Sequence, residues 1–387
     1  MISIIKKPFR YQPAGNPAIF QIESNNPDIV YFEVKVAEAL TEAILINQRY
    51  FIRPNYVTGV SFNLSNVLTN LVQLKLNNTI NLAAAVEDAT LSYKLIITEK
   101  VNSSGSLING SVYSDVNLYT VWDGSFDRQL FSLFNPDDYI VNSNKLAKFL
   151  SIKPTISNQS DNSLEHLHFL NGDNLATKVR IRTFDKSGNQ LNLVAEELPE
   201  GLMIKLNVSP RNLTEVLGID FSSVGYYKID LLNLDDEIIS ETKQYNYLVE
   251  SCNLEPVNFL FTTSLGGVES FTFYNPKQSI NTTKTTLKSN VLQLNGGVYS
   301  DNIAGVLNQT DKIISSVSKS TYTVFSNPLT DSETIYLKEL ISSQNVYVEN
   351  SLNDNLIPVT IKNNNYSVAL RKTSGGKLNR LEIQYEM

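Results

Sequence analysis

Two histidines one residue apart, His166 and His168, are the side chains of this 387-residue chain whose spacing best suits chemistry. Residues i and i+2 of a β-strand point to the same face, so the H-x-H pattern would place both imidazoles together, as in a metal-binding pair. Glu165 and Asp161 could supply oxygen ligands. The chain holds no third histidine and no further metal signature. A structural or surface role is therefore the favoured interpretation, with metal binding and catalysis as the alternatives.

Nucleophilic catalysis needs a base held against the nucleophile. The single cysteine, Cys252, has no histidine near it in sequence, and no G-x-S-x-G motif occurs. We therefore interpret Cys252 as a small buried residue. Two carboxylate pairs, Asp137/Asp138 and Asp235/Asp236, lie in turn contexts. Adjacent acids on a strand face opposite sides, so glycosidase chemistry would require turns that bend the two carboxylates of a pair together.

Ligand-binding motifs are equally sparse. Gly266-Gly267 lacks the Lys-Ser/Thr that follows in a phosphate-binding loop and instead predicts a hairpin turn. Trp122 and the pair Tyr226-Tyr227 could stack on a sugar, although aromatic residues of a strand-rich chain mostly lie in its core. N-x-S/T sequons such as Asn63, Asn207 and Asn212 are expected by chance in a chain this rich in Asn, Ser and Thr. The sequence assigns no catalytic, cofactor-binding or metal-binding residue, and we expect a protein without a cofactor that is not an enzyme.

Composition excludes several classes of protein. A formal net charge of −7 argues against wrapping nucleic acid, which requires a basic surface. One cysteine can form neither an internal disulfide nor a zinc-thiolate site. No run of about 18 apolar residues exists, so we expect no membrane span. The opening, MISIIKKPFR, lacks the longer apolar segment and the cleavage site of a secretory signal.

The elements that must position these residues are mostly strands. The chain combines 44 Asn and many Ser, Thr and Gly, which favour turns, with Val, Ile, Tyr, Phe and Thr, which favour strands. This mixture predicts a mainly β fold of several β-sandwich modules with a few short helices. Abundant Asn also accompanies AT-rich genomes, so composition alone indicates no assembly.

Local patterns divide the chain into three predicted domains. An N-terminal β-sandwich domain, 1–104, contains the alternating strand Ile29–Val36 and a helix over Val60–Leu74, and ends in the polar stretch Asn102–Gly110. A middle β domain, 105–245, contains a short helical turn at Lys145–Ile152 and a polar loop at Ser157–Ser163.

The middle domain also has an immunoglobulin-like part over about 175–245. There the strand Thr177–Phe184 leads into a Lys-Ser-Gly-Asn hairpin turn. A C-terminal β-rich domain, 246–387, has strands on either side of Leu265-Gly266-Gly267. It also has a helix over 331–343 that opens with the capping box Thr330–Glu333, and a hairpin around Asn363–Asn365.

Two segments resemble structural tail and baseplate proteins of tailed bacteriophages. Tyr247–Phe273 has a strand ending near a Cys, then Glu-Pro, an apolar strand and a Leu-Gly-Gly turn followed by an acid and aromatic residues. Leu337–Tyr385 has the end of a helix, Ser-Ser-x-Asn-Val-Tyr-Val, then Leu-Ile-Pro-Val-Thr-Ile-Lys, a hairpin and a final alternating strand. The opening is similar as well, with Asn16-Pro17 before a strand and Ser61–Ser65 before a Val-Leu pair.

The resemblance implies a virion component of the tail or baseplate, in which β-sandwich modules form a symmetric ring. It implies assembly in the host cytoplasm, with other copies of the chain and neighbouring tail or baseplate proteins as partners. It carries over no catalytic residue. The alternatives are a carbohydrate- or receptor-binding protein of adhesin type, which requires an exposed aromatic platform, and a hydrolase, which requires carboxylates clustered in one cleft.

Overall fold

The computed structural model describes residues 1–52, 59–76, 81–142, 145–249, 255–288, 311–349, 355–363 and 379–387, with strand backbone at 293–295, 298–300, 302–303 and 306–307. The chain is mainly β, with several sheets and a few short helices, as the composition predicts. None of the helices in these ranges is long and apolar enough to cross a membrane.

The N-terminal region is a β-sandwich of two sheets. Its strands are β1 (Ile2–Lys6), β2 (Tyr11–Pro13), β3 (Ile19–Ser24), β4 (Ile29–Glu38), β5 (Ile44–Phe51), β6 (Gly59–Asn63), β7 (Ala83–Ala85), β8 (Thr90–Ser103), β9 (Ser106–Ser114) and β10 (Tyr119–Trp122). One sheet has the order β1-β3-β6, and the other has the order β2-β10-β8-β4-β5, with β9 also paired to β8. Phe20 of the first sheet and Phe32 of the second meet in one buried core, because the alternating pattern of each strand turns its apolar side inward.

The boundary predicted between residues 104 and 105 falls at the tip of the β8–β9 hairpin, where Ser103 pairs with Ser106. Gly105 occupies this tip with φ of 86°, a backbone conformation that glycine adopts without strain. Since β9 and β10 both pair with β8, the sheet of the N-terminal region extends to Trp122.

The middle region is a second sandwich. Its strands are β11 (Ile156–Gln159), β12 (His166–Leu170), β13 (Lys178–Phe184), β14 (Gln190–Glu197), β15 (Met203–Asn207), β16 (Tyr226–Leu232) and β17 (Lys243–Tyr247). Five of these form a sheet of order β11-β17-β16-β13-β14, and the facing sheet has the order β12-β15-β7. The strand β7 comes from the N-terminal region, so the two regions share a sheet. The predicted hairpin joins β13 to β14, and Asp185 accepts hydrogen bonds from the backbone N–H groups of Ser187 and Asn189 in its turn.

The C-terminal region contains a seven-stranded sheet of order β26-β25-β18-β19-β24-β28-β27. Its strands, together with two small hairpins, are β18 (Pro256–Thr262), β19 (Val268–Lys288), β20 (Gln293–Asn295), β21 (Val298–Ser300), β22 (Asn302–Ile303), β23 (Val306–Leu307), β24 (Asp311–Phe325), β25 (Val346–Glu349), β26 (Leu356–Pro358), β27 (Thr360–Ile361) and β28 (Glu382–Glu386). Among the described strands, β19 and β24 are the longest, with 21 and 15 residues.

The helices are short. They are α1 (Ser65–Leu68), α2 (Arg128–Ser132), α3 (Pro210–Leu217), α4 (Asp331–Tyr336) and α5 (Lys338–Ser342), with 3-10 turns at Thr69–Leu71, Glu87–Ala89, Pro136–Asp138, Gly172–Asn174 and Phe221–Ser223. The capping box at Thr330 and Glu333 is confirmed, since each side chain bonds the backbone N–H of the other residue. The predicted helix over 331–343 is interrupted at Leu337, which separates α4 from α5.

Three other local predictions are wrong. Val60–Leu74 is not one helix, because residues up to Asn63 pair with β3 and only α1 and a 3-10 turn follow. Lys145–Ile152 is extended instead of helical, held by hydrogen bonds such as that from the Leu150 N–H to the His168 carbonyl (2.7 Å). Ser157–Ser163 is not wholly a loop, because β11 pairs in parallel with β17. The predicted hairpin around Asn363–Asn365 lies largely outside the described residues, as does Cys252.

The three regions meet in a shared apolar core. It takes Trp122 from the N-terminal region, Leu170 from the middle region and Leu260 from the C-terminal region, all buried. One face of the C-terminal sheet packs on this core, and the other face is covered by α4 and α5 through side chains such as Tyr336 and Leu340. The regions therefore form one continuously packed body.

Candidate functional site

His166 and His168 lie on one face of β12, as the H-x-H pattern predicts, opposite Asn207 and Lys205 of β15. The alternate residues of β12, such as Leu167, belong to the apolar core of the middle sandwich. The sheet of β12 and β15 therefore has an apolar face toward the middle core and a polar face toward the C-terminal region.

Both imidazoles are buried and neutral. Burial lowers the pKa of His166 well below its usual value, and burial, followed by the charge of Lys205, lowers the pKa of His168 to about 3. The Nδ1 atom of His168 accepts a hydrogen bond from the backbone N–H of Val268 (3.3 Å), which assigns its proton to Nε2. Burial also lowers the pKa of Lys205, to about 8. Within the described ranges, no three or more His, Cys, Asp or Glu side chains are grouped so that they could hold a metal ion.

Glu165 lies in a buried polar network at the junction of the middle and C-terminal regions. Its carboxylate accepts hydrogen bonds from Lys153, from Gln159 Nε2 (2.6 Å) and from the Tyr245 hydroxyl (3.1 Å). The hydroxyl of Ser270 on β19 donates to the Leu164 carbonyl, next to this carboxylate. These partners saturate Glu165, so it belongs to the junction and is not a free ligand for the histidines. Asp161 is bound by the hydroxyl of Tyr247.

The C-terminal side of this junction adds its own buried groups. The hydroxyl of Tyr336 on α4 donates to the Ser270 carbonyl (3.0 Å), and the backbone N–H of Ile152 donates to Glu269 Oε1 (2.9 Å). Burial raises the pKa of the Glu269 carboxyl and of the Tyr336 hydroxyl. The bonds from Ile152 to Glu269 and from Ser270 to Leu164 cross between the two regions. Because buried polar groups need their partners, these bonds help to fix how the two regions pack.

A cleft of about 490 Å³ opens above this junction. Its walls are the segment Gln159–Leu164 of the middle region, the segment Ser270–Tyr274 of β19 and the start of α4 near Glu333. The polar groups at its walls largely satisfy one another: the Ser160 backbone N–H donates to Ser163 Oγ (3.0 Å), and Glu333 accepts the bonds of the capping box. The cleft thus lies between the middle and C-terminal regions and has both polar and apolar walls.

The two aspartate pairs lie in separate turns. Asp137 and Asp138 end a 3-10 turn, where Asp138 forms ion pairs with Lys145 and Lys148. Asp236 is in a left-handed turn (φ of 61°) and pairs with Lys178 (2.7 Å). Neither turn gives its carboxylates the convergent arrangement that the hydrolase hypothesis requires.

The aromatic candidates are mainly core. Trp122 has no exposed surface, and its indole Nε1 donates to the Leu265 carbonyl (2.8 Å). Tyr227 is also buried, and its hydroxyl donates to the Val208 carbonyl (2.9 Å). Tyr226 stacks on Phe184 with ring centroids 4.8 Å apart, so the exposed face of each ring is limited. The predicted turn at Gly266-Gly267 is confirmed as the connection between β18 and β19.

A protruding feature was not evident from the sequence. Among the described residues, β19 pairs beyond Tyr274 only with β24, and β24 has no second neighbour until Thr321 pairs with β28. Residues 277–288 and 311–319 therefore form a two-stranded ribbon, which we call the β-arm, and every residue in it is exposed. Twelve residues of strand extend about 40 Å. The polar composition of this part of the chain, rich in Thr, Ser, Asn and Lys, was compatible with exposed strands but gave no sign that they protrude.

The β-arm combines apolar and basic side chains. Its exposed apolar residues include Ile280 and Val317, which are 62% and 60% exposed. The remaining ones are Leu287, Ile313 and Ile314. It has five lysines and one aspartate, which give it a net charge of +4. Because the whole chain has a formal net charge of −7, the rest of the chain has a net charge of −11. Its basic residues are Lys277, Lys284, Lys288, Lys312 and Lys319.

A second unusual surface is the edge strand β14. It ends its five-stranded sheet and pairs only with β13 among the described strands. All of its residues except Val194 are exposed, and Leu193 is 56% exposed. Edge strands are usually protected from further pairing by lysine, proline or a bulge. The strand β14 has no lysine and no proline. Its register shifts between Gln190 and Asn192 and is regular from Asn192 to Glu197.

No protein-family model matches this chain, and neither does any curated protein. A solved structure of a marsupial T cell receptor aligns at 8% identity over 92% of this chain and 98% of that chain, with a TM-score of 0.20. The crystal structure of Dpr2 Ig1-Ig2 in complex with DIP-Theta Ig1-Ig3 aligns at 10% identity over 64% of this chain and 99% of that chain, with a TM-score of 0.17. TM-scores of this size do not establish a shared fold.

Proposed function

We propose that this protein is a structural subunit of a bacteriophage tail or baseplate, which assembles with other copies of itself into a ring. The β-arm carries the proposal. A two-stranded ribbon is marginally stable in water by itself, and this one exposes Ile280 and Val317 on opposite faces. Among the described residues, both faces of the ribbon are exposed and its outer backbone edges have no pairing strand. We expect such an element to be covered by another protein.

The way the body is built supports the same function. Sheets from all three regions pack on one shared core, and buried hydrogen bonds such as that from the Ile152 N–H to Glu269 cross the junction of the middle and C-terminal regions. A rigid body with a protruding arm can make a heterologous contact, in which the arm of one copy lies on the body of the next. Repeated around an axis, such contacts close into a ring. Tail and baseplate neighbours would add contacts in the virion, after assembly in the host cytoplasm.

The mass of the full-length chain in solution tests the assembly. Native mass spectrometry and multi-angle light scattering of the recombinant protein should detect a defined oligomer, and negative-stain microscopy should show rings. Mass spectrometry of purified phage particles should then detect the chain among the tail proteins. A chain that stays monomeric at every concentration, and that is missing from particles, would contradict the proposal.

Carbohydrate binding is the second candidate, and the cleft between the middle and C-terminal regions is the observation that favours it. Its walls offer amide and hydroxyl groups together with the aromatic rings of Phe271 and Tyr274. This composition suits a sugar, which needs hydrogen bonds around its rim and a flat apolar face. A glycan array probed with the full-length chain tests this candidate, and binding that Tyr274→Ala abolishes would support it.

A further inference from the structure

We infer that the β-arm of one copy pairs with the edge strand β14 of a second copy and extends its five-stranded sheet. The inference deepens the proposed function and rests on it, because it names the two surfaces through which copies of the chain would join. Each surface has an open hydrogen-bonding edge, and the two carry opposite charge.

The edge of β14 is suited to accept another strand. An edge strand exposes backbone N–H and C=O groups that a further strand can satisfy. This edge is regular over its last six residues and presents Leu191 and Leu193 to solvent. The strand therefore offers an added strand two kinds of contact: backbone groups for hydrogen bonds and apolar side chains for packing.

The charge of β14 selects the kind of strand that it accepts. Glu196 and Glu197 are exposed at its end, and Glu200 follows shortly after. No ion pair involves these three carboxylates among the described residues. A second acidic strand would be repelled at this end, whereas a basic strand would be attracted there.

The β-arm has the complementary properties. No other described strand pairs with the outer edges of its strands over at least nine residues each, which matches the eight residues of β14. Its lysines outnumber its single acid by four, while the remainder of the chain is strongly acidic. Its apolar residues on β24, Ile314 and Val317 among them, would cover the exposed leucines of β14. The partner that these features fit is therefore the acidic body of a second copy.

Charge reversal in both surfaces tests the pairing in the full-length chain. The arm variant is K277E/K284E/K319E, and the edge variant is E196K/E197K/E200K. Each should raise the dissociation constant for self-association about tenfold or more, since the two surfaces then carry charge of the same sign. A chain with both sets of changes should regain self-association, because the charges again match. The matched control is K6E/K7E/K338E, which makes the same change in net charge at exposed lysines outside the arm and should associate more like the unchanged chain than the arm variant does.

Sedimentation velocity at low and high salt measures these dissociation constants, and circular dichroism confirms that each variant is folded. Hydrogen exchange adds a readout that charge alone cannot mimic: amides of β14 should become protected when copies associate. If the unchanged chain assembles and the arm variant assembles equally well without protection of β14, this pairing is wrong while the proposed function stands. A chain that never self-associates contradicts both. Arm-dependent binding to phosphatidylserine vesicles or duplex DNA, without self-association, would also overturn the pairing.

Discussion

The indole Nε1 of Trp122 donates a hydrogen bond to the carbonyl oxygen of Leu265 (2.8 Å), although the two residues are 143 positions apart in sequence. Trp122 ends the last strand of the N-terminal sheet, and Leu265 is in the turn between β18 and β19 of the C-terminal sheet. The bond lies in the core that all three regions share. This bond therefore helps to hold the N-terminal and C-terminal regions in one packed unit.

We expect the three regions to unfold together in urea. Trp122 is the single tryptophan of the chain, so its emission reports on the shared core, whereas far-ultraviolet circular dichroism reports on all the strands. If the shared core couples the regions, the two signals should change at the same urea concentration. Two separate transitions would show that the regions unfold independently.

Gly266→Ala should lower the free energy of unfolding by roughly 3 kcal/mol or more. Gly266 has φ of 86°, and a Cβ atom there would lie 2.0 Å from the Asp123 carbonyl oxygen. Gly105→Ala is a matched control, because Gly105 has the same φ and a Cβ atom would contact nothing within 4 Å. The control should cost only about 1 kcal/mol, for backbone strain. Urea unfolding of both variants measures the difference, and equal losses would refute the steric explanation.

Acid should destabilise the protein through His168. Burial disfavours the charged imidazole and lowers the pKa of His168 from its ordinary value of 6.5 to about 3. The unfolded chain therefore binds a proton that the folded chain does not between these values. Stability is complete above pH 6.5 and falls with pH toward 3, by up to about 1.4 kcal/mol per pH unit. His166 acts in the same direction.

The variant His168→Asn isolates this effect, since its amide oxygen can still accept the bond from the Val268 N–H. Urea unfolding between neutral and acidic pH should give a shallower loss of stability than in the unchanged chain. The raised pKa of Glu269 acts with the opposite sign, because its contribution is present at low pH and lost as pH rises through its folded pKa. An unchanged pH slope in His168→Asn would exclude His168 as the source.

Asp230→Asn should lower the free energy of unfolding by about 3 kcal/mol, because it leaves two arginines beside a neutral buried group. Asp230 is fully buried and pairs with Arg180 (3.1 Å) and Arg182 (2.6 Å). The control is Asp236→Asn, which removes the exposed pair with Lys178 and keeps a residue that tolerates a left-handed turn. It should cost less than about 1 kcal/mol. Thermal unfolding compares them, and similar losses would contradict the role of burial.

Trypsin should cleave the monomer first in the β-arm, at Lys284 and Lys319 among other sites, because proteases cut exposed backbone that can open locally. In the assembled state the same bonds should be protected. Limited digestion followed by mass spectrometry locates the cuts at concentrations below and above assembly. First cuts in the body, or an arm cut equally fast in both states, would contradict an arm that is covered on assembly.

Local features were predictable from the sequence where neighbouring residues decide them. The capping box of Thr330 and Glu333, the turn of the β13–β14 hairpin and the Gly266 turn each depend on hydrogen bonds or φ values within a few residues. The placement of His166 and His168 on one face also follows from the period of a strand. The mainly β class follows from composition in the same way.

Pairing between distant strands was decided by the tertiary structure. Alternation could not indicate that β7 would join β15, that β10 would complete the N-terminal sheet, or that β19 and β24 would continue into an exposed arm. The segment after Gly59 illustrates the reason: the apolar spacing of 60–74 suits a helix, yet pairing with β3 makes its first part a strand. The local sequence pattern determines which backbone conformations of a segment are low in free energy. Which of them forms depends on the apolar surface and hydrogen bonds that remote parts of the chain provide, and that information exists only once the chain is packed.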